Sequence, residues 1–246
     1  MHNIFISGIT GRVGRLLILE ILDNDFFHLI GGSCNLNNEF LGKDIGDLIN
    51  QKKIDIQISN GTPPEKEIDI IVDFSSPESS MSVLEDARSR KIPILIGTTG
   101  FNESQLKQID KISSEVPVLL APNTSSGIAI LKTIITNSRA LFSEDSTIEI
   151  EETHHKEKKD SPSGTALDLK EIISSHFPNS DITVESFREG TNPGEHKVRV
   201  LLANESIELT HKAEERSIFA SGALLGARWL LSKPKGLYGM NDIYSS

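Results

Sequence analysis

The sequence predicts an α/β protein with a doubly wound parallel sheet and a second, α+β domain built on an open mixed sheet. Three observations predict this fold class. Up to residue 124, apolar runs alternate with segments of helical period. A glycine-rich turn, "GITGRVG", joins the first apolar run to the first helix. After Ser125, strand-like segments alternate apolar with polar residues, which is typical of a sheet with one face in water.

The first half of the chain predicts strands separated by helices. These strands are apolar throughout, which indicates a parallel sheet covered by helices on both faces. In chain order the predicted strands are "NIFIS", "FHLIGGSC", "IDIIVDF", "IPILIG" and "VPVLLAP". The predicted helices are "GRVGRLLILEILDN", "PESSMSVLEDARSR" and "NESQLKQIDKISSE". We therefore expect one dinucleotide-binding type of sheet in residues 1–124.

The second half predicts helices on one side of a more open sheet. The strands are "STIEIEE", "DITVESF", "HKVRVLLA" and "ESIELTH", the last two joined as a hairpin across Asn204. The helices are "GIAILKTIITNSRALF", "GTALDLKEIISSHF" and "SIFASGALLGARWLL". The tail "KPKGLYGMNDI" predicts no strand and is expected to pack back on the first domain. The predicted domains are residues 1–124 with 217–246, and residues 125–216.

Composition narrows the possible functions. A net charge of -10 over 246 residues argues against nucleic-acid binding, because neutralising phosphates needs a clustered basic surface. The single cysteine, Cys34, excludes an internal disulfide and suits a reducing compartment. No stretch approaches the ~18 apolar residues of a membrane span, and no metal-ligand spacing occurs. We expect a cytoplasmic protein with no nucleic-acid, membrane or metal partner.

The "GITGRVG" turn carries the first chemical signal. Gly8 permits a tight turn, Gly11 allows the backbone to approach a pyrophosphate, and Gly14 lets helix and strand pack closely. The helix N-terminus supplies free amide groups and the positive end of a dipole. Glycines often serve a turn alone, so it is the position between strand and helix that favours dinucleotide binding.

The residue after the second strand bears on cofactor choice. An acid there binds ribose hydroxyls and favours the unphosphorylated cofactor, but this chain has Asn35 followed by Leu36. An amide can bond a hydroxyl without repelling a 2′-phosphate, and Arg12 could reach such a phosphate. The residues leave the choice between NADH and NADPH open.

Two further loops follow predicted strands of the same sheet. They are "GTTG", Gly97–Gly100, and "APNTSSG", Ala121–Gly127. Ser and Thr are ordinary turn residues. Ligands of open parallel sheets nevertheless bind at the carboxyl ends of strands, so three small, polar loops at such ends predict one cofactor cleft.

The segment "EETHHKEKKDSPSGTA", Glu151–Ala166, predicts a proton-handling site. Histidine is the side chain whose unperturbed pKa lies near neutrality, so His154 is a candidate proton donor or acceptor and Lys158 a candidate cationic donor, although a solvated charged loop explains the composition equally well. "PSGTALDL" predicts a helix start with a hydroxyl cap, where the Gly164 amide is open to an anion. Cationic proton donors beside an anion-binding helix terminus favour a reaction on a carboxylate substrate.

Other histidines carry weaker signals. His211, with Lys212 and Arg216, is interpreted first as structural or as part of a hinge. His28, His176 and His196 show no convincing partners in the sequence, and we expect structural roles for them.

Together these motifs resemble the 4-hydroxy-tetrahydrodipicolinate reductase (dihydrodipicolinate reductase) family of lysine synthesis. "EIEETHHKEKKDSPSGTA" fits the family signature at every fixed position, and "GITGRVG", "VDFSSPES", "IGTTGF", "THKA" and "GLYGMNDI" follow in the family order. The resemblance covers nearly the whole chain. It implies a Rossmann domain completed by the C-terminal helix, and a mixed-sheet domain that binds substrate and builds a homo-oligomer.

The resemblance also implies an activity and its residues. A cyclic imine dicarboxylate loses water, accepts a hydride from NADPH or NADH, and the resulting enamine is protonated. His154 is implied as proton donor or acceptor and Lys158 as the second donor, while His155, Gly164 and Thr165 hold substrate carboxylates. The implied cofactor contacts are Gly8, Ile9, Thr10, Gly11, Arg12, Val13, Asn35, Gly97, Thr98, Thr99, Ala121, Pro122, Asn123 and Thr124.

Three departures from the family pattern bear on cofactor and assembly. Asn35 and Leu36 replace an acid and an arginine that many members carry, which leaves the NADH or NADPH preference undecided. Thr124 stands where a bulky apolar residue is common, which we expect to loosen the nicotinamide pocket. The segment near Gly190–His196 is shorter than in many relatives. Because that region helps to form the family tetramer, the expectation is a homotetramer with a dimer as the alternative.

The residues bear on two alternative functions. One is another two-domain dehydrogenase acting on a semialdehyde or a sugar, but semialdehyde dehydrogenases need a nucleophilic cysteine, and Cys34 stands early and alone. The other is a sensor that binds the cofactor without chemistry. A sensor would have no use for His154 and Lys158, so these two residues distinguish an enzyme from a sensor.

Overall fold

The computed structural model describes residues 1–138 and 146–245, and the chain divides into two compact units. The first comprises Met1–Thr124 and Phe219–Ile243, and the second Ser125–Ile218 and Tyr244–Ser246. The predicted division places its first boundary at the same residue, and its return at 217 lies two residues before Phe219. Cofactor binding by the first unit and substrate binding by the second are proposals.

The first unit contains a six-stranded, wholly parallel sheet in the order β10-β5-β4-β3-β1-β2. Its strands are β1 His2–Ser7, β2 Phe27–Ser33, β3 Ile70–Asp73, β4 Ile94–Ile96, β5 Pro117–Leu120 and β10 Gly236–Tyr238. Its helices are α1 Arg12–Leu22, α2 Ile45–Leu48, α3 Pro77–Arg90 and α4 Glu103–Ser113, joined by most of α7 Ser217–Leu230. Met240–Ile243 forms a 3-10 turn.

The sheet is parallel because its central strands are apolar on both faces. All four residues of β3 and all three of β4 are buried, so neither strand offers a face to water. Phe5, Ile71 and Ile94 pack with Leu84 of α3 and Ile109 of α4 in one core cluster. The predicted fold class is confirmed, and the five strands and three helices predicted between residues 2 and 120 are present, whereas α2 was not predicted.

One expectation about the tail was wrong. "KPKGLYGMNDI" was predicted to lack a strand, but Gly236–Tyr238 forms β10, which pairs in parallel with β5. Three residues of mixed polarity carry no readable period, and only the free edge of β5 makes them a strand. The expected packing of the tail on the first unit is observed.

The second unit contains a mixed four-stranded sheet in the order β7-β6-β8-β9. β6 is Thr147–His154, β7 Asp181–Arg188, β8 Glu195–Leu201 and β9 Ser206–Lys212. β7 runs parallel to β6, whereas β8 and β9 run antiparallel to their neighbours. The predicted hairpin is present, and the Leu202 amide donates to the Glu205 carbonyl at 2.9 Å.

The helices of the second unit cover one face of this sheet. α5 is Ser126–Asn137 and α6 is Gly164–His176, and both contribute to a core cluster with the sheet. The helix predicted by "GIAILKTIITNSRALF" extends into residues 139–142, which lie outside the described residues. β6 alternates half-buried and buried positions, so Glu152 and His154 lie on the buried face with Ile148 and Ile150.

Candidate active site

The glycine turn places a cleft at the carboxyl ends of β1, β2 and β3. Gly8 has a φ of 75°, and a side chain there would lie 2.2 Å from the Phe74 carbonyl oxygen. A side chain at Gly14 would lie 2.5 Å from the Ile9 carbonyl oxygen. Both positions therefore require glycine, one for the turn and one for the approach of α1 to the strand.

The cleft has a volume of about 290 Å³ and a neutral, polar lining. Of the predicted cofactor residues, Gly8, Thr10, Gly11 and Asn35 line it. The other lining residues are Ser7, Ser33, Cys34, Asn38, Asn60, Gly61, Phe74, Ser75, Ser76, Ser79, Ser82 and Val83. This lining offers hydroxyl and amide groups to a ribose and contains no carboxylate to repel a phosphate.

These residues fit a dinucleotide. Gly11 is the N-cap of α1 and makes no side-chain cap, so the first-turn amides of the helix are not covered by a side chain. Free amides at a helix N-terminus that opens beside a strand end are a binding site for the pyrophosphate. Beyond β2, Ser79 Oγ lies 3.5 Å from Asn35 Oδ1, at the place where the ribose reader is expected.

The remaining predicted residues of this turn differ in exposure. Ile9 is fully buried, so only its backbone is available to a ligand. Arg12 is exposed at the first position of α1, and Val13 is half-buried. Cys34 is buried and burial raises the pKa of its thiol, which argues against a thiolate nucleophile and hence against the semialdehyde dehydrogenase reading.

The loop after β4 is fastened to a buried carboxylate. Thr98 Oγ1 donates to Asp73 Oδ2 at 2.8 Å and accepts from the Ser75 amide at 2.9 Å. Asp73 is fully buried and also accepts from the hydroxyls of Ser75 and Ser80. Gly97 is buried and Thr99 exposed, so the hydroxyl of Thr98 serves the loop while Thr99 is accessible.

The loop after β5 ends the first unit. Ala121 is buried, Pro122 exposed and Asn123 half-buried. Thr124 is 1% exposed, and its hydroxyl donates to the Phe219 carbonyl at 2.7 Å. Its hydroxyl thus fastens the loop to α7. Neither this loop nor Gly97–Thr99 lines the cleft described above, although both follow strands at the same edge of the sheet.

In the second unit, His154 is the last residue of β6 and is 8% exposed. Its Nδ1 is hydrogen-bonded to Glu152 Oε2, two residues earlier on the same buried face. Burial lowers the pKa of His154; the hydrogen bond and the charge of Glu152 oppose that shift, while Lys158 and Arg188 add to it. The imidazole therefore titrates in a site shaped by three charged groups.

Residues 155–163 form the predicted loop between β6 and α6. Lys158 Nζ lies 2.8 Å from Asp160 Oδ2. Hydrogen bonding from Lys158, with further bonds from the backbone amides of Asp160 and Gly164, lowers the pKa of the Asp160 carboxyl. A carboxylate of the protein itself thus lies between the predicted donor and the predicted anion-binding amide.

The remaining predicted substrate residues lie around the start of α6. The helix begins at Gly164. Its N-cap is Ser163, whose hydroxyl accepts from the Ala166 amide at 3.2 Å, so the predicted hydroxyl cap is present. Gly164 is exposed and Thr165 half-buried. His155 is half-buried, and its amide donates to the Asn192 carbonyl at 2.9 Å.

His196 was expected to lack partners, and that expectation was wrong. It is 4% exposed on β8, its Nε2 lies 3.3 Å from Ser163 Oγ, and its ring centroid lies 5.1 Å from that of His154. His211, also on this side of the sheet, lies 6.3 Å away between centroids. Burial, with the charges of His154 and His211, lowers the pKa of His196 to about 3.

Sequence reasoning missed Glu152, Arg188, His196 and Asp73. Glu152 could have been found, because the alternation of β6 puts it on the apolar face, where an unpaired acid is costly. Arg188 lies 36 residues after Glu152 and His196 lies further still, and strand pairing brings both of them to it.

Two exclusions hold for the described residues. No group of three or more histidine, cysteine, aspartate or glutamate side chains there is arranged to hold a metal ion. Residues 1–138 and 146–245 also contain no helix that is long and apolar enough to cross a bilayer.

Comparison with known proteins gives the same family for both units. The family model for the N-terminus of dihydrodipicolinate reductase matches residues 2–124, and the family model for its C-terminus matches residues 127–244. The 4-hydroxy-tetrahydrodipicolinate reductase of Buchnera aphidicola subsp. Cinara cedri (strain Cc) is 37% identical over 262 residues, 98% of this chain and 96% of the relative. That of Hahella chejuensis (strain KCTC 2396) is 33% identical over 263 residues, 99% and 98% of the two chains.

A solved structure shares the fold. Dihydrodipicolinate reductase from Paenisporosarcina sp. TG-14, described with dipicolinate bound, superposes with a TM-score of 0.81 at 20% identity and covers 99% of both chains. At 20% identity this structure shows only that the fold is shared. Family membership is shown by the family models and by the relatives above 30% identity. The chain belongs to the dihydrodipicolinate reductase family.

Proposed function

We propose that this protein is an NAD(P)H-dependent 4-hydroxy-tetrahydrodipicolinate reductase of the diaminopimelate route to lysine. The observation that carries the proposal is the arrangement of His154 beside Glu152 at the end of β6, with Lys158 in the loop that leads to the start of α6. Relatives that are 33% and 37% identical to this chain, and that match it over nearly their whole length, carry this enzyme name. The neutral cleft of the first unit supports the cofactor part of the proposal.

The substrate carboxylates are assigned to the start of α6. Lys158 and the Gly164 amide both lower the pKa of Asp160, so their combined field favours a carboxylate at this place. A substrate carboxylate would replace the carboxylate of Asp160 there. The exposed Gly164 and the half-buried Thr165 and His155 would complete the contacts. Helix N-termini favour anions through free amides and the dipole.

The protonation step is assigned to the imidazole and the ammonium group. A bound reduced nicotinamide supplies the hydride for the conjugated carbon formed when the substrate loses water. The enamine left by that transfer takes up one proton, which Nε2 of His154 or Nζ of Lys158 delivers. A donor held close to the enamine carbon accelerates such a step, and the charge of Lys158 also offsets that of the dicarboxylate.

The cofactor residues are proposed as in the sequence assignment, with their exposure deciding how each acts. Gly8, Thr10, Gly11 and Asn35 line the cleft, and Arg12 is an exposed cation near the same helix terminus. Ile9 and Thr98 would act through their backbone, because the side chain of Ile9 is buried and the hydroxyl of Thr98 is bound to Asp73. We further propose a cytoplasmic homo-oligomer, a tetramer or a dimer.

A coupled assay tests this function. Pyruvate and aspartate semialdehyde, passed through the preceding synthase, supply the unstable substrate, and purified protein should then oxidise NADPH or NADH with loss of absorbance at the nicotinamide band. Omitting the synthase is the control for oxidation without substrate. Absence of substrate-dependent oxidation with both cofactors would refute the proposal.

A further inference from the structure

Glu152 is a buried carboxylate that the reaction above does not use. It is fully buried on β6, and its two oxygens are both occupied. Oε2 faces His154 Nδ1, while Oε1 accepts from Arg188 Nη2 at 2.8 Å and from the Ser163 amide at 3.1 Å. Hydrogen bonds from Arg188 and His154 outweigh burial and lower the pKa of Glu152, so the carboxyl is ionised.

An ionised carboxylate fixes the tautomer of the histidine it contacts. It can only accept hydrogen bonds, so Nδ1 of His154 must carry a proton in both charge states of the ring. The proton that titrates is then the one on Nε2. This nitrogen has no hydrogen-bond partner among the described residues and faces Gly194, where a side chain would come within 2.9 Å of it.

Arg188 keeps Glu152 from taking the proton itself. Its guanidinium donates to Oε1 and also to the carbonyls of Phe187 and Asp160, so it is anchored at three acceptors. With Arg188 and the Ser163 amide on one oxygen, transfer of the His154 proton to Glu152 would leave a neutral acid facing two donors. When the ring is protonated, the pair therefore stays as carboxylate and imidazolium rather than as a neutral acid and a neutral imidazole.

We propose that Glu152 is a positioning residue for His154, which it holds in the Nδ1–H tautomer so that proton transfer takes place at Nε2. The proposal rests on the proposed function, in which His154 exchanges a proton with the substrate. The groups that face His154 are Glu152 on its own strand, Arg188 on β7, His196 on β8 and Lys158 in the following loop. Among these only Glu152 is an acid, and it alone stabilises the imidazolium.

The first experiment compares Glu152→Gln with Glu151→Gln. Glu151 is the neighbouring residue on the opposite face of β6, where it pairs with Lys197 at 3.2 Å, so it controls for losing one negative charge from the same strand. A glutamine at 152 must turn its NH2 group either to His154 Nδ1–H or to the donors Arg188 and Ser163 N–H. We expect kcat to fall about 100-fold or more, while the dissociation constant of the cofactor is unchanged.

The pH profile separates positioning from a merely structural role. Because the charge of Glu152 raises the His154 pKa, its removal lowers that pKa further, and the limb of the kcat profile set by His154 moves to lower pH. A structural role would reduce the amplitude and leave the limb in place. Glu151→Gln should change neither. An unmoved limb in Glu152→Gln, or the same shift in both variants, overturns the proposal.

A second experiment does not depend on activity or on the folding of Glu152→Gln. In ¹⁵N-histidine-labelled wild-type protein, assigned with His154→Gln, the neutral His154 ring should show a protonated Nδ1 and an unprotonated Nε2. The reverse tautomer would overturn the proposal even if the enzyme turns over its substrate. The expected tautomer in a protein that fails the reductase assay would instead leave Glu152 in place as the partner of His154 and refute only the proposed function.

Discussion

Lys158 Nζ lies 2.8 Å from Asp160 Oδ2, so the proposed proton donor is paired with a carboxylate from its own loop. The same carboxyl has a lowered pKa, with Lys158 as the largest cause and the amide of Gly164 contributing. Lys158 and the Gly164 amide, which are assigned to the substrate, thus contact the carboxylate of Asp160. A dicarboxylate that enters must compete with Asp160 for them.

Asp160→Asn should therefore tighten substrate binding. Removing the competing charge while keeping the size of the side chain should lower KM for the substrate about twofold to fivefold, within the range of one partly exposed ion pair. The KM of the cofactor should not change. A higher KM for the substrate would show instead that Asp160 holds Lys158 in its working position.

Replacing the two proposed donors should separate chemistry from cofactor binding. We expect His154→Gln and Lys158→Ala each to lower kcat by about 100-fold to 10,000-fold, the contribution of general acid–base catalysis. The affinity for NADPH or NADH, followed by nicotinamide fluorescence, should be retained because neither residue belongs to the unit that contains the cleft. Near-normal turnover in Lys158→Ala would refute its role, and Lys159→Ala is the matched control in the exposed part of the loop.

Asn35 is expected to set the choice of cofactor. It lines the cleft beyond β2, and none of the residues lining the cleft is charged. Asn35→Glu should repel a 2′-phosphate and bond the ribose hydroxyls, moving the ratio of kcat/KM for NADH over NADPH upward by about tenfold or more. The neighbouring Asn38→Glu, whose amide donates to Thr10 Oγ1 at 3.2 Å, is the comparison. An unchanged ratio in Asn35→Glu would mean that this side chain does not face the ribose.

Gly194 and Gly190 give a matched pair next to His154. Both have positive φ values, 151° and 49°, so alanine strains the backbone at either position. Only at Gly194 would the new methyl group meet His154, 2.9 Å from Nε2, whereas at Gly190 it meets nothing within 4 Å. Gly194→Ala should lower kcat by at least about tenfold relative to Gly190→Ala, and equal losses in the two would argue against Nε2 as the reacting nitrogen.

His196 should make stability depend on pH. Its pKa is lowered from 6.5 to about 3, so between these values the unfolded state binds a proton that the folded state does not. The free energy of unfolding should therefore fall as the pH drops from about 6.5 towards 3, with a slope of at most about 1.4 kcal/mol per pH unit from this group. Urea unfolding between pH 7 and 5 should show a shallower dependence in His196→Phe, while an unaltered slope would contradict the assignment.

The strands and helices were predictable where a single period runs through the segment. The apolar runs of β1, β3 and β4 and the capped start of α3 are local patterns, and the structure has them at the expected places. β10 was not predictable, because three residues gain their hydrogen bonds only from the exposed edge of β5. The pairing of β6 with β7 and β8 likewise depends on residues more than thirty positions apart.

The sequence by itself determined the types of residue at the candidate site: the glycine turn, the two proposed donors His154 and Lys158, and the hydroxyl-capped start of α6. These signals are local, since a turn, a cap or a period involves residues within a few positions of one another. Only the tertiary structure decided which nitrogen of His154 contacts Glu152 and which faces Gly194. That choice depends on Glu152 being charged, and its charge depends on Arg188 and Ser163, which reach it through the strand pairing and the placement of α6.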